Sequence, residues 1–359
     1  VNDRVRNQHV VSKFYLKGFA DQRSRLRRLI LPGLHSHLIS VNKATVIRDY
    51  YSLTLDDGRV TDVFESAFSK IESVAAKTLR RLTKGGAWPL NSADKYSMAL
   101  WIALQYLRSE GVRGHEAESE AILIRLLVGL SGKEALREYI MTAEQSEVSQ
   151  ARLDFEWNEL TQDGGPRLRQ DAGEHLGMVV DLLFPTAALF ASKQWTLYDF
   201  ERGPLVTGDH PVTLSEAPEG SGLGLYTAGV IALPLSRLQA ILLRTAPGID
   251  VRETGTHERA EHLNQLTILN SRKFVLSHPE DLESIESLHL PDPRTSERDP
   301  GAAGRFISEV GYLGPVGRGS AGRIAAIFSR SGKAVTLSDI KWPIERRLVV
   351  WDTSDYEKS

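Results

Sequence analysis

The sequence predicts an α+β fold: a central helical block packed against a mostly antiparallel sheet built from N-terminal and C-terminal strands. Three observations carry this. Residues 26–55 are rich in β-branched and aromatic side chains and are punctuated by turn residues. From Val63 to about Ile140 the apolar positions recur every three or four residues, the period of a helix with one buried face. After Ser192 the period returns to two.

A chain of 359 residues is long for one core and suggests two packed subdomains or one large domain with insertions. The divisions fall at 1–62, a docking segment with strands, and 63–192, the helical block. Then come 193–290, a β-rich part with one helix, and 291–359, a loop-rich segment ending in a strand. Phe14, Tyr15, Leu16 and Phe19 give residues 7–21 enough apolar area to dock, which would fix His9 against the body. Strands are expected at Leu29–Leu31, ended by Pro32-Gly33, at His37–Val41 and at Thr45–Tyr51.

The first helix is expected over Val63–Leu82, stopped by Gly85-Gly86, and the second from an Asn91 or Ser92 cap to about Ser109. Further helices are expected at Glu116–Gly129, Lys133–Ala143, Glu147–Leu160 and Glu174–Ala191, the last kinked or broken by Pro185. Trp195–Phe200 reads as a strand. Gly203–Leu214 reads as a strand at Leu205-Val206, a tight turn at Gly208-Asp209 and a second strand held off by Pro211. Strands at Val230–Leu233, Pro234–Ser236 and Gln239–Leu243 follow, then a helix at Glu258–Ile268 and a strand at Phe274–Leu276. Pro291–Gly304 reads as a mobile loop, Gly311–Gly322 as irregular, and Arg347–Trp351 as a closing strand.

Composition narrows the function classes. Apolar residues make up 41% and charged residues 25%, which excludes wholesale disorder. The net charge of −2 offers no bulk attraction to nucleic acid or membrane, leaving room only for a local basic patch. The absence of cysteine removes disulfides, thiolate nucleophiles, cysteine zinc sites and iron–sulfur clusters, and suits a cytoplasmic location. No signal-peptide run opens the sequence, and no window is expected to reach the ~18 apolar residues of a membrane span.

The polar residues define the candidate site. His9 can act as a general base or metal ligand, or sit at the surface as a cap. Glu65 and Glu72 are seven apart, nearly two full turns, so both carboxylates share one row at the rim of the buried face. Met98, Trp101, Gln105 and Arg108 share a face of the second helix, so the apolar stripe runs into an amide and a guanidinium. A buried Arg108 needs a carboxylate, and Glu65, Glu72 and Asp209 are the candidates; the pairing could be structural or could wall an anion site. Asp209 and His210 sit at a sheet-edge turn, where an Asx turn or a catalytic carboxylate fits equally. Asn264 and Asn270 flank the helix-to-strand junction. There is no His-Glu-x-x-His, Gly-x-Ser-x-Gly, phosphate-loop or calcium-loop pattern.

Several stretches in order resemble an uncharacterised bacterial and fungal domain-of-unknown-function family, DUF4238. The family's His-Tyr-Val-Pro-x-x-Tyr-Leu-x-x-Phe is similar to His9–Phe19, with Val10 and Ser12 in place of Tyr and Pro. Its glutamate helix corresponds to Glu65 and Ile71-Glu72, and its Gln-x-x-Arg to Gln105–Arg108. Its Ser-Asp-Asn-Pro-Val turn corresponds to Gly208–Val212, with His210 in place of Asn. Its Pro-Leu-Ser corresponds to Pro234–Ser236, and its late Asn to Asn264 or Asn270. The resemblance covers roughly residues 7–277 and implies which residues matter more than what they do.

Three functions are compatible with these residues. The first is a hydrolase, a metal-assisted phosphodiesterase or nuclease. His9, Glu65, Glu72 and Asp209 would be its catalytic residues and its Mg, Mn or Zn ligands, with Gln105, Arg108, His210 and Asn264 on the substrate side. The second is a binding or regulatory module in which the same residues form a structural ion-pair network. The third, suggested by the resemblance alone, is a toxin or defence effector.

Overall fold

A computed structural model describes residues 6–31, 33, 35–54, 60–61, 63–86, 88–113, 132–161, 172–216, 223–246, 248–281, 290, 327–328 and 334–335. The helix expected at Glu116–Gly129, the loops at 291–304 and 311–322 and the closing strand at Arg347–Trp351 lie outside them. The chain divides into two compact units, residues 1–113 with 171–296, and residues 114–170 with 297–359.

The first unit opens with β1 (Asn7–His9), the single turn α1 (Lys13–Leu16), β2 (Arg25–Ile30), β3 (His35–Ser40), β4 (Val46–Arg48), β5 (Leu53–Thr54) and β6 (Val60–Thr61). Helices α2 (Val63–Thr83) and α3 (Ser92–Leu107) follow. Numbered along the whole chain, α4 (Lys133–Glu144) and α5 (Gln150–Thr161) belong to the second unit. The first unit resumes with α6 (Ala172–Ser192), β7 (Gln194–Phe200), β8 (Thr207–Gly208), β9 (Thr213–Ser215), β10 (Val230–Ser236) and β11 (Gln239–Arg244). It ends with β12 (Val251–Gly255), α7 (His257–Asn270) and β13 (Phe274–Ser277). Strands β14 (Ile327–Phe328) and β15 (Ala334–Val335) pair within the second unit.

The fold is mixed α+β, and its sheets are mostly antiparallel with strands from both ends of the matched sequence. One sheet has the order β12-β7-β11-β10-β9, antiparallel except for the β12–β7 pair. A second has the order β3-β2-β13-β8, so N-terminal strands pair with late ones. Edge strand β12 was not expected; its Arg252, Glu253 and Thr254 are exposed and show no apolar alternation to find. Pro234 lies within the continuous strand β10, and the register with β11 shifts just beyond it, the kind of irregularity beside which a strand tolerates proline.

Helix α3 is the spine of the core. Asn91 caps it by accepting from the Asp94 N–H at 2.9 Å. Met98, Ala99, Trp101, Ile102, Ala103, Leu104 and Leu107 are all buried, and α3 packs against both α2 and α6. Burial of each of the larger side chains contributes about 1.5–3 kcal/mol. Helix α2 contributes Phe68, Ala75, Leu79 and Leu82 from its inner face.

Two expectations are corrected. Helix α6 is not broken at Pro185: it runs from Ala172 to Ser192, with Leu176, Val179, Leu183, Ala187 and Phe190 buried. Proline removes one intrahelical hydrogen bond, and the packing around it holds the helix through that loss. Its His175–Ser192 window also has a mean hydropathy of 1.5, long and apolar enough to cross a membrane by length and composition, so a window of spanning length does exist. Here that helix lies against α3 in the core.

The stretch around Gly208 is not a hairpin. β8 is an edge of the four-stranded sheet and β9 an edge of the five-stranded one, so residues 209–212 cross between sheets. The carbonyls of His210 and Val212, which no strand pairs, accept from Asn270 Nδ2 at 2.8 and 3.0 Å.

Candidate functional site

Ser12 is the hub of a buried polar network. It occupies the N-cap position of α1, yet its side chain makes no capping bond. Instead its Oγ donates to Glu72 Oε1 at 2.7 Å and accepts from Trp101 Nε1 at 2.9 Å. It also lies against Gln105 Oε1, which accepts from the Ser12 N–H at 2.9 Å. Arg108 follows α3 as its C-cap, and its Nη2 stands 2.6 Å from Glu72 Oε1, 2.6 Å from Gln105 Oε1 and 2.9 Å from Ser12 Oγ. Two hydrogens are thus shared among three acceptors. The guanidinium carbon lies 6.0 Å from the Tyr51 ring centre and 5.9 Å from that of Phe68. Burial pulls the Arg108 pKa down, but Tyr51, Glu72 and Glu65 outweigh it and hold the group cationic.

His9 belongs to the same neighbourhood. Burial and then Lys13 pull its imidazole below the usual range, while a hydrogen bond to the Asn42 backbone and the Glu72 charge oppose them. Its Nε2 is buried without a hydrogen-bond partner among the described residues. Glu65 acts on Arg108 and Tyr51 through charge. The structure therefore brings Glu72, Gln105 and Arg108 into contact around the wholly buried Ser12, with His9 and Glu65 close enough to act on them through charge.

Asp209 is not part of this network. Its carboxylate accepts from the backbone N–H of Arg272 at 3.0 Å and of Lys273 at 2.7 Å, just beyond α7. These partners lie more than sixty residues along the chain, so the local Asx turn is replaced by a long-range clamp. Burial raises the Asp209 pKa to about 6, against those two donors. His210 lies beside Tyr106, with ring centres 5.6 Å apart, and burial holds its pKa down at about 4. Asn264 ties α7 to the segment before β8: its Oδ1 accepts from Val206 N at 2.9 Å and its Nδ2 donates to Pro204 O at 2.9 Å. His210 and Asn264 thus have packing and backbone partners where they are.

Asp209 does line a cavity of about 220 Å³. Val10, Val11 and Phe274 form apolar walls; Arg28, Lys43, Lys273, Glu110 and Asp209 supply charge. Arg28 lies with its guanidinium carbon 3.8 Å above the Phe274 ring, and its Nε is buried without a hydrogen-bond partner among the described residues. Burial lowers the Arg28 pKa, and Asp209 and Glu110 pull it back. Lys273 Nζ pairs with Glu110 Oε1 at 2.6 Å. Residues 108 and 110 thus serve different assemblies, Arg108 the network and Glu110 the cavity. A larger depression of about 340 Å³ between the five-stranded sheet and α7 has charged groups already engaged: Arg259 with Tyr198 Oη at 2.8 Å and Arg244 with Glu216 at 3.8 Å.

A divalent metal does not fit the residues expected to hold it. Among the described residues no three His, Asp or Glu side chains gather around a common point. Glu72 Oε1 is engaged by Arg108 and Ser12, and both Asp209 oxygens by backbone donors. Sequence reasoning missed Ser12, Arg28, Lys43, Glu110 and Lys273. Ser12 drew notice only for standing where the family has proline. The basic residues come from three separate segments, and only the paired register of β2 and β13 brings Arg28 and Phe274 to one sheet.

No curated protein and no solved structure matches the chain. A family profile described as a protein of unknown function matches residues 7–281, which takes in the network, the cavity and both principal sheets. The chain belongs to that family, DUF4238.

Proposed function

We propose that this protein binds a small anionic ligand, a carboxylate or phosphate monoester, in the cavity lined by Arg28, Lys43 and Lys273, and that the Ser12–Glu72–Arg108 network is a structural brace. The observation that carries this is the convergence of three basic side chains on one concavity beside a buried carboxyl. Glu110 pairs with Lys273 and also acts on Arg28, and the second carboxyl is Asp209, whose ionisation burial disfavours, so three basic groups stand against two acids. A surplus of positive charge with an apolar floor suits an anion attached to a small organic body. Titration calorimetry with inorganic phosphate and with succinate tests this. Binding that is lost in Arg28→Met supports it; absence of binding by either probe removes it.

A hydrolase remains the second reading, with Asp209 and not a metal at its centre. A carboxyl titrating at about 6 can take the proton of an attacking water and return it to the leaving oxygen of an ester near neutral pH. Hydrolysis of nitrophenyl phosphate or nitrophenyl acetate that disappears in Asp209→Asn would support it, and undiminished activity in that variant would end it. A toxin or defence role belongs to this reading; equal bacterial growth on induction of the wild type and Asp209→Ala would remove it.

A further inference from the structure

Helix α2 segregates its charges by face. Its acids Glu65 and Glu72 lie toward Arg108, while Lys70, Lys77, Arg80, Arg81 and Lys84, which follows the helix, are exposed. Lys70, Lys77 and Lys84 are seven residues apart, close to two turns each, and so form one row about 21 Å long at 1.5 Å per residue. Arg81 pairs with Asp94 at 2.6 Å. Lys70, Lys77, Arg80 and Lys84 have no carboxylate partner among the described residues. The helix dipole accounts for cations in the last turn, but its influence does not extend to Lys70 and Lys77. A solvated helix flank normally mixes signs, and this one does not. The basic end opens onto a broad, shallow depression of about 790 Å³ lined by Lys77, Arg80, Arg81 and Lys84.

What the row lacks decides its partner. Val63, 56% exposed, and Val74, 49% exposed, are the large apolar side chains along it, and both are small valines. A membrane-surface helix needs aromatic or leucine anchors, and a protein hot spot needs a buried aromatic or arginine anchor. No aromatic ring is present to stack on a base. Exposed Ser66 and Ser69 flank the row and add hydroxyl donors. We propose that this outer face of α2 binds the phosphate backbone of duplex nucleic acid without reading base sequence.

Fluorescence anisotropy with a labelled random-sequence DNA duplex tests this on the full chain. Four phosphate contacts predict a slope of about −3 to −4 in log affinity against log salt, and Lys77→Ala should reduce its size by about one. The triple variant Lys70→Glu/Lys77→Glu/Lys84→Glu should lose affinity about ten- to hundredfold, with its melting temperature unchanged. Lys43→Ala, in the cavity, should leave the slope as it is. The proposal is overturned if the wild type fails to bind at low salt or the triple variant binds as well. Equally tight binding of polyglutamate, or binding of phosphatidylserine vesicles but not duplex, would also overturn it.

Discussion

Arg108 Nη2 meets Glu72 Oε1 at 2.6 Å, with the arginine side chain 1% exposed and the glutamate 23%. The pair joins the end of α3 to the middle of α2, and Ser12 locks the N-terminal segment onto both. Removing one partner would leave the other charge uncompensated, which is costlier than the pair itself is favourable.

Arg108→Ala is therefore expected to destabilise the first unit by about 3–5 kcal/mol. Glu72→Ala strands the more deeply buried Arg108 charge, so it should cost no less, about 3–5 kcal/mol. The double variant should cost less than the sum of the two, because the second substitution removes a charge already stranded. Urea unfolding of the four proteins measures this, and strict additivity would contradict a coupled pair.

Ser12→Ala deletes the hydroxyl that accepts from Trp101 Nε1 and Arg108 and donates to Glu72. It leaves the Trp101 indole N–H buried without that acceptor and should cost about 1–3 kcal/mol. Restoring the family's proline at this position would also delete the Ser12 N–H that bonds Gln105, so Ser12→Pro should be no milder. Chemical denaturation of both variants checks the ranking.

Gly111→Ala should also destabilise. A Cβ there would stand 2.3 Å from His210 Nδ1, and that imidazole is buried beside Tyr106. The ring must shift, and overpacking of this kind costs about 1–3 kcal/mol. A Gly111→Ala/His210→Ala pair should recover part of the loss in thermal melts.

The neighbours Asp209 and His210 make opposite contributions to pH dependence. The Asp209 pKa is raised from 3.8 to about 6, so its contribution is full below pH 4 and is lost as pH rises through 6. The His210 pKa is lowered from 6.5 to about 4, so its contribution is full above pH 6.5 and is lost as pH falls through 4. Each shift amounts to about 2–3 kcal/mol, and the slopes oppose each other over the same window. His210→Gln should reveal stability falling from pH 4 to 6, and Asp209→Asn the reverse. Melts at stepped pH read the signs, and identical profiles for the two variants would contradict them.

Periodicity revealed most of the described helices, and residue spacing revealed the helical half of the polar network. Glu65 and Glu72 were set on one row by the helical repeat, and Gln105 and Arg108 on one face by theirs. The need of a buried Arg108 for a carboxylate left Glu65, Glu72 and Asp209 as candidates, and Glu72 is the one that pairs with it. Asp209 was selected as well, but its partners are backbone N–H groups of residues 272 and 273, which carry no side-chain signal. The pairing of β2 with β13 brings Arg28 to Phe274 over a separation set by the whole intervening chain, and local pattern holds no trace of it. Ser12 carried no local signal, because its distinction is a set of tertiary contacts.

The most direct test of the ligand-binding account is a thermal melt of wild type and Arg28→Met, with and without inorganic phosphate or succinate. At about 100 times the dissociation constant a ligand adds about 2.7 kcal/mol to the folded state, a shift of a few degrees. The account predicts that shift in the wild type with at least one of the two anions and its loss in Arg28→Met. Arg108→Ala should melt lower yet keep the shift. A wild type that neither anion stabilises, or a shift unchanged in Arg28→Met and lost in Arg108→Ala, would contradict the account.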